Sequence, residues 1–265
     1  MPKWFSSEVL GTFILVFFGT GAVATAVALG APMGVFQVTA VWGLGLSIGI
    51  FLSAQHSGGH LNPAITIAFA VLGDLPKKRV PGYIAAQFTG AFLAACAVFL
   101  LFNPSITAFE AANNITRGAE GSEASSMMFG EYFPNPGGKP LTEEARATVP
   151  HATALFAEFL GTLLLALAIF GFTARSNKSG PGFLTPLAIG LTLTAILSII
   201  APLTQAGLNP ARDLAPRVFS SIAGWKGIPF STNGIGWLTA YVITPCAGAL
   251  CGAFISNRLF SRTAE

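Results

Sequence analysis

Apolar residues run through this chain in six blocks, 5–29, 35–54, 80–102, 151–173, 182–203 and 235–257, separated by short polar stretches and one long one. Each block holds about the 20 residues that an α-helix needs to cross ~30 Å of hydrocarbon, so the pattern predicts six membrane-spanning helices. The first block is longer than the ~7–15-residue apolar core of a signal peptide and is read as structure. Two shorter segments fall outside the six, and each opens on the same triplet, Asn62-Pro63-Ala64 and Asn209-Pro210-Ala211. Asn caps the free N–H groups of a helix start, and Pro, with no N–H of its own and φ already near helical, suits the first helical position. Gly73 is expected to stop the first segment after about ten residues and Gly224 the second after about thirteen, giving rods of roughly 15–20 Å at 1.5 Å per residue. Neither can cross a bilayer, so both are expected to be re-entrant half-helices.

The polar segments set the topology. Lys3, then Lys77, Lys78 and Arg79, then Arg175 and Lys178, then Arg258 and Arg262 fall on one side of the six blocks. The positive-inside rule makes that side, with both termini, cytoplasmic, and the expected site is the plasma (inner) membrane. The long connection 103–150 falls on the other side, extracellular or periplasmic, and is expected to be a loop with at most short helical pieces.

The two halves repeat each other. Ser7-Glu8-Val9-Leu10-Gly11-Thr12 matches Ala157-Glu158-Phe159-Leu160-Gly161-Thr162, the Asn-Pro-Ala triplets match, and Tyr83 with Gly90-Ala91 matches Tyr241 with Gly248-Ala249. Each copy, approximately 1–102 and 151–265, holds three spans. An odd number makes the second copy enter the membrane from the opposite side, so the repeat is inverted within a single membrane domain. The half-helices then dip in from opposite sides and their capped N-termini meet near the midplane. The six residues before each triplet, 55–60 and 203–208, are expected to present carbonyls to a watery lumen, because irregular backbone at that depth must face protein or water. Two N-terminal half-helix dipoles make the centre unfavourable for cations.

Composition agrees: 52% of the 265 residues are hydrophobic and only 9% charged, too apolar for a soluble domain. A formal charge of +3 is too small to suggest nucleic acid. Cys96, Cys246 and Cys251 lie in apolar segments and read as packing residues, and no His, Cys or carboxylate spacing suggests a metal site. No phosphate loop or nucleophile–base order suggests an enzyme, and no cofactor is implied. Small residues four apart, Gly45 with Gly49, Gly90 with Ala94 and Gly248 with Gly252, are expected to pack helices within the chain.

Glu8 and Glu158 sit inside apolar spans, where a carboxylate costs about 2.5–3.5 kcal/mol on insertion scales. One reading is a proton relay. Their repetition favours the other, in which each accepts hydrogen bonds from the re-entrant loop of its own half, because a scaffold needs one prop per half. His60, just before the first triplet, is expected to line the lumen or brace the same loop; His151 is expected at an interface.

With the doubled Asn-Pro-Ala, the Glu-x-x-Gly-Thr repeat and six spans with two half-helices, the chain resembles the major intrinsic proteins, the aquaporins and aquaglyceroporins, over essentially its whole length. The resemblance implies an all-α integral membrane fold of six transmembrane helices plus two re-entrant half-helices in an inverted repeat, assembled as a homotetramer in membrane lipid. It also implies a four-residue constriction, here Trp42, Leu197, Ala206 and Arg212 by position relative to the two Asn residues. Arg212, one turn into the second half-helix, would offer donors to a hydroxyl or water oxygen and repel cations. Arg217 is read instead as a headgroup anchor, and Pro216 is expected to bend its half-helix.

Asp213, following the Arg, resembles the glycerol-conducting branch, and Leu197 stands where water-selective members carry His. Glycerol facilitators usually pair the Trp with a second aromatic and a Gly; here Trp42 and Leu197 would form the apolar corner and Ala206 would give room. The expectation is a passive channel for glycerol, similar small neutral solutes and some water, with Asn62 and Asn209 donating at the midplane. A water-selective pore, a urea or metalloid channel and a proton-coupled symporter are the alternatives.

Overall fold

The computed structural model describes residues 1–260; Arg262, counted above among the basic residues, lies outside them. Its main helices in chain order are α1 (Lys3–Val27), α2 (Val35–Ser57), α3 (Pro63–Leu72), α4 (Val80–Ala112), α5 (His151–Thr173), α6 (Thr185–Thr204), α7 (Pro210–Ser220) and α8 (Thr244–Leu259). A π-helical turn, Thr239–Ile243, leads into α8, so the sixth apolar span is Gly236–Leu259. Six of these helices are long and apolar enough to cross a membrane, and α3 is a short apolar one.

Helix α1 packs on α2 and α4, α5 packs on α6 and α8, and α2 meets α6 where the halves join. The half-helices cross over: α3 packs on α8 and α7 on α4. Glycines allow the close approaches. A Cβ on Gly90 would stand 2.3 Å from the Val9 carbonyl oxygen, and one on Gly248 would stand 2.4 Å from that of Phe159. Gly45, Gly49 and Gly252 likewise face α1 or α5, so these small-residue pairs serve packing within the chain.

Several boundaries differ from expectation. Helix α4 has 33 residues, passes through Pro104 and reaches Ala112, ten beyond the apolar block. At 1.5 Å per residue it is about 50 Å long, so its last turns leave the ~30 Å apolar zone and need no apolar sequence. The irregular stretches before the triplets are shorter than six residues, because α2 continues to Ser57 and α6 to Thr204. Left-handed residues end both, Gly58 at φ 86° and Gln205 at φ 59°, leaving 58–61 and 205–208. Gly73 ends α3 as expected, at φ 90°. Helix α7 stays helical through Pro216 to Ser220, and a π-helical turn carries the chain to Trp225 past Gly224 at φ 115°.

The connection is also more than a surface loop. It contains two short helices, Glu123–Ser126 and Glu143–Thr148, and every residue from 122 to 134 is buried. Buried backbone needs partners, and they come from the half-helix and its surroundings: the Glu131 N–H donates to Asp213, Tyr132 N–H to Gln205 and Asn135 N–H to the Leu203 carbonyl. The connection thus seats onto the start of α7.

Candidate functional site: a lumen between two half-helices

The two Asn-Pro-Ala triplets meet and hold each other. Asn62 Oδ1 accepts from the Ala64 N–H at 2.8 Å, and its Nδ2 donates to the Leu208 carbonyl at 2.9 Å. Asn209 Oδ1 accepts from the N–H groups of Ala211 and Arg212, and its Nδ2 donates to the Leu61 carbonyl at 2.8 Å. Each NH2 group has two hydrogens and spends one across the junction, so each has one left for the lumen that both residues line.

Each re-entrant loop hangs on a carboxylate. Glu8 accepts from the N–H groups of His60 (3.0 Å) and Leu61 (2.9 Å), and Glu158 from those of Gly207 (2.9 Å) and Leu208 (2.8 Å). Gln87 Nε2 adds a donor to Glu8 at 2.8 Å, and Thr204 Oγ1 adds one to Glu158 at 2.6 Å. Two tyrosines repeat the symmetry, Tyr83 donating to the Ser57 carbonyl and Tyr241 to that of Thr204. These bonds hold Leu61 and Leu208 at φ 52° and 53°, a left-handed conformation unfavourable for a branched side chain. Among the described residues, no donor reaches the carbonyls of Gly58, Gly59, His60, Gln205, Ala206 or Gly207. All six residues line the cavities described next.

Three cavities lie in series. The middle one, about 30 Å³, is lined by both asparagines, His60, Trp42, Leu197, Ala206 and Arg212. On the side facing the long connection it shares Trp42, Leu197 and Arg212 with a vestibule of about 140 Å³. On the side of the termini it shares His60, Leu46 and Ile65 with a funnel of about 680 Å³. All four residues of the expected constriction therefore stand round its narrow centre. A single water needs roughly 10–15 Å³, so the centre has room for only a few water-sized groups.

The narrow centre has an apolar side and a cationic side. The Arg212 guanidinium carbon lies 4.0 Å from the centre of the Trp42 ring, and Leu197 is 2% exposed. Gly19 of α1 makes room for the indole, since a Cβ there would fall 2.1 Å from it. His60 stacks on Phe69 at 4.5 Å and its Nδ1 lies 3.2 Å from Thr66 Oγ1, so its ring rests on α3 where it borders the middle cavity and the funnel. His151 pairs with Thr239 at 2.9 Å, beside Phe133 and away from the lumen.

The surroundings of Arg212 correct one expectation and add a residue. Arg217 is no headgroup anchor: it is 1% exposed, its Nη2 lies 2.7 Å from Asp213 Oδ1, and it also donates to the carbonyls of Glu131 and Pro229. One turn of helix separates Asp213 from Arg217, so their side chains meet on one face. Asp213 is thus fully occupied by Arg217 and the Glu131 N–H. Glu131 itself, 2% exposed, forms an ion pair with Arg212 through Oε1 and Nη1. Sequence reasoning missed it. The available signal was one carboxylate inside the otherwise apolar run Met127–Pro134.

The chain is similar to known proteins over nearly its whole length. The family model described as Major intrinsic protein matches residues 2–256. The glycerol uptake facilitator protein of Pseudomonas aeruginosa is 38% identical over 249 residues, covering 93% of this chain and 85% of the relative. A propanediol uptake facilitator of Salmonella typhimurium is 35% identical, covering 94% and 90%. The X-ray structure of the aquaglyceroporin from Plasmodium falciparum superposes with a TM-score of 0.81 at 26% identity, covering 97% of this chain and 96% of that one.

Proposed function

The chain belongs to the major intrinsic protein family, and on that premise we propose that it is a passive channel, not an enzyme, conducting glycerol and similar small neutral polyols, with some water. The observation that carries this reading is the two-sided constriction. A polyol has a hydroxylated edge and a carbon edge. Arg212 and the free carbonyls of Gln205, Ala206 and Gly207 suit the first, and Trp42 with Leu197 suits the second. The asparagine hydrogens at the junction then hand the solute from one carbonyl file to the other, and the half-helix N-termini repel cations.

The relatives named as glycerol and propanediol facilitators support that solute class. Symport has less support, because the two carboxylates within the apolar spans, Glu8 and Glu158, are occupied by their own loops. We place the termini in the cytoplasm of a plasma (inner) membrane, on the basic loops; we read 1–102 and 151–265 as inverted repeats, on the paired hydrogen bonds; and we take the assembly as a homotetramer, on the family resemblance.

The test is stopped-flow light scattering on proteoliposomes, comparing an inward glycerol gradient with an osmotically equal sucrose gradient. Shrinkage followed by protein-dependent reswelling in glycerol alone is expected. Faster shrinkage without reswelling would replace the reading with a water pore, and solute accumulation driven by a pH gradient would replace it with a symporter.

A further inference from the structure

Resting on the channel reading above, we propose that Glu131 is a positioning residue of the constriction: its carboxylate holds the Arg212 guanidinium against Trp42 and thereby sets which solutes pass.

Glu131 is built to act on Arg212 through its side chain alone. Its backbone is anchored independently, the N–H on Asp213 and the carbonyl on Arg217. Those bonds do not depend on what the side chain is. Its carboxylate Oε1 meets Arg212 Nη1, and both residues are buried.

The geometry also shows what the pair does. Arg212 lines both the narrow centre and the vestibule, and its guanidinium covers the indole at 4.0 Å. Asp213 is turned away and engaged with Arg217, which leaves Glu131 as the carboxylate paired with Arg212 among the described residues. With the tether in place, one edge of the guanidinium is taken and the permeant meets the rest. Without it, an unpaired buried cation turns into the lumen toward water and the free carbonyls of Gln205 and Ala206. The opening then shrinks on its polar side, and passage falls more steeply for a larger solute.

The experiment measures a solute series, water, urea, 1,2-propanediol, glycerol and erythritol, in proteoliposomes holding equal amounts of the full chain. The variants are Glu131→Ala, Glu131→Gln and Glu131→Asp, together with Arg212→Ala and the double Glu131→Ala/Arg212→Ala. For Glu131→Ala the glycerol-to-urea permeability ratio is expected to drop roughly fivefold, the change that about 1 kcal/mol of barrier gives. Glu131→Gln keeps an acceptor in place and should lie between it and the wild type. In the Arg212→Ala background, Glu131→Ala should change no ratio, because its effect runs through Arg212. Unchanged ratios in Glu131→Ala at equal protein, or an undiminished effect without Arg212, would overturn the proposal. A variant that lowers all fluxes together would assign Glu131 to folding and overturn it equally. Failure of the wild type to pass any solute in the series would instead refute the channel reading.

Discussion

The indole of Trp42 packs against Gly19 and under Arg212, so the width of the constriction can be changed from outside the lumen. Gly19→Ala places a methyl carbon 2.1 Å from the ring carbons, against an ordinary contact of at least 3.4 Å. The indole has to retreat by the difference, 1.3 Å, or the helix α1 has to move. Helix α1 is held by close packing on α2 and α4, including the Gly49 contact with the Gly11 carbonyl at 2.8 Å from a would-be Cβ. The ring is therefore the part expected to yield, toward the guanidinium 4.0 Å from its centre. Overpacking of this kind costs about 1–3 kcal/mol. Where that cost falls on the passage of a solute, its rate drops roughly 5- to 150-fold. Glycerol should suffer more than water, since it fills the constriction. The assay is light scattering on proteoliposomes, with protein quantified in the same vesicles and thermal stability followed in detergent. Glycerol permeability within twofold of the wild type in a folded Gly19→Ala protein would refute the argument that Trp42 forms one wall of the constriction.

Three other expectations use the same vesicles. Glu158→Gln replaces one of two acceptor oxygens with an NH2 group, leaving one of the Gly207 and Leu208 N–H groups facing a donor; at about 1.5–3 kcal/mol for a bond to a charged group, folded yield and flux should fall, with no pH-driven component appearing. A loss confined to pH-driven flux would instead mark Glu158 as a relay. Arg217→Met leaves Asp213 buried without its cation, a cost of about 3–5 kcal/mol, so the variant should lose thermal stability in detergent and Asp213→Asn/Arg217→Met should recover part of it; an unchanged melting temperature would contradict the buried pair. Arg212→Val should widen the range of solutes admitted, and an unchanged solute profile would remove Arg212 from the constriction.

What could be read from the sequence was what depends on neighbours in the chain. The half-helix starts were legible because an Asn-Pro pair caps a helix by local chemistry, and both asparagines do accept from N–H groups two residues on. The same holds for the end at Gly73, where a left-handed φ suits glycine. The repeat of Glu8 at Glu158 was legible too, though not their second donors: Gln87 comes from α4 and Thr204 from the end of α6, positions that no spacing rule links to a glutamate on another helix.

The misreading of Arg217 has a different cause, because the information was local. A basic residue near the end of an amphiphilic half-helix looks like an anchor when judged by its depth in the membrane. Judged by helix period, it lies one turn after Asp213, and an acid four residues before an arginine is a pairing signal. In an apolar surrounding the second criterion outranks the first, since an aspartate buried there needs a cation more than the arginine needs a headgroup. The same reasoning extends to Glu131. Once Arg217 is assigned to Asp213, Arg212 is a buried cation lacking a counter-ion, and the one carboxylate embedded in an apolar run of the long connection becomes its expected partner. Charge balance would thus have drawn that connection onto the lumen from sequence alone.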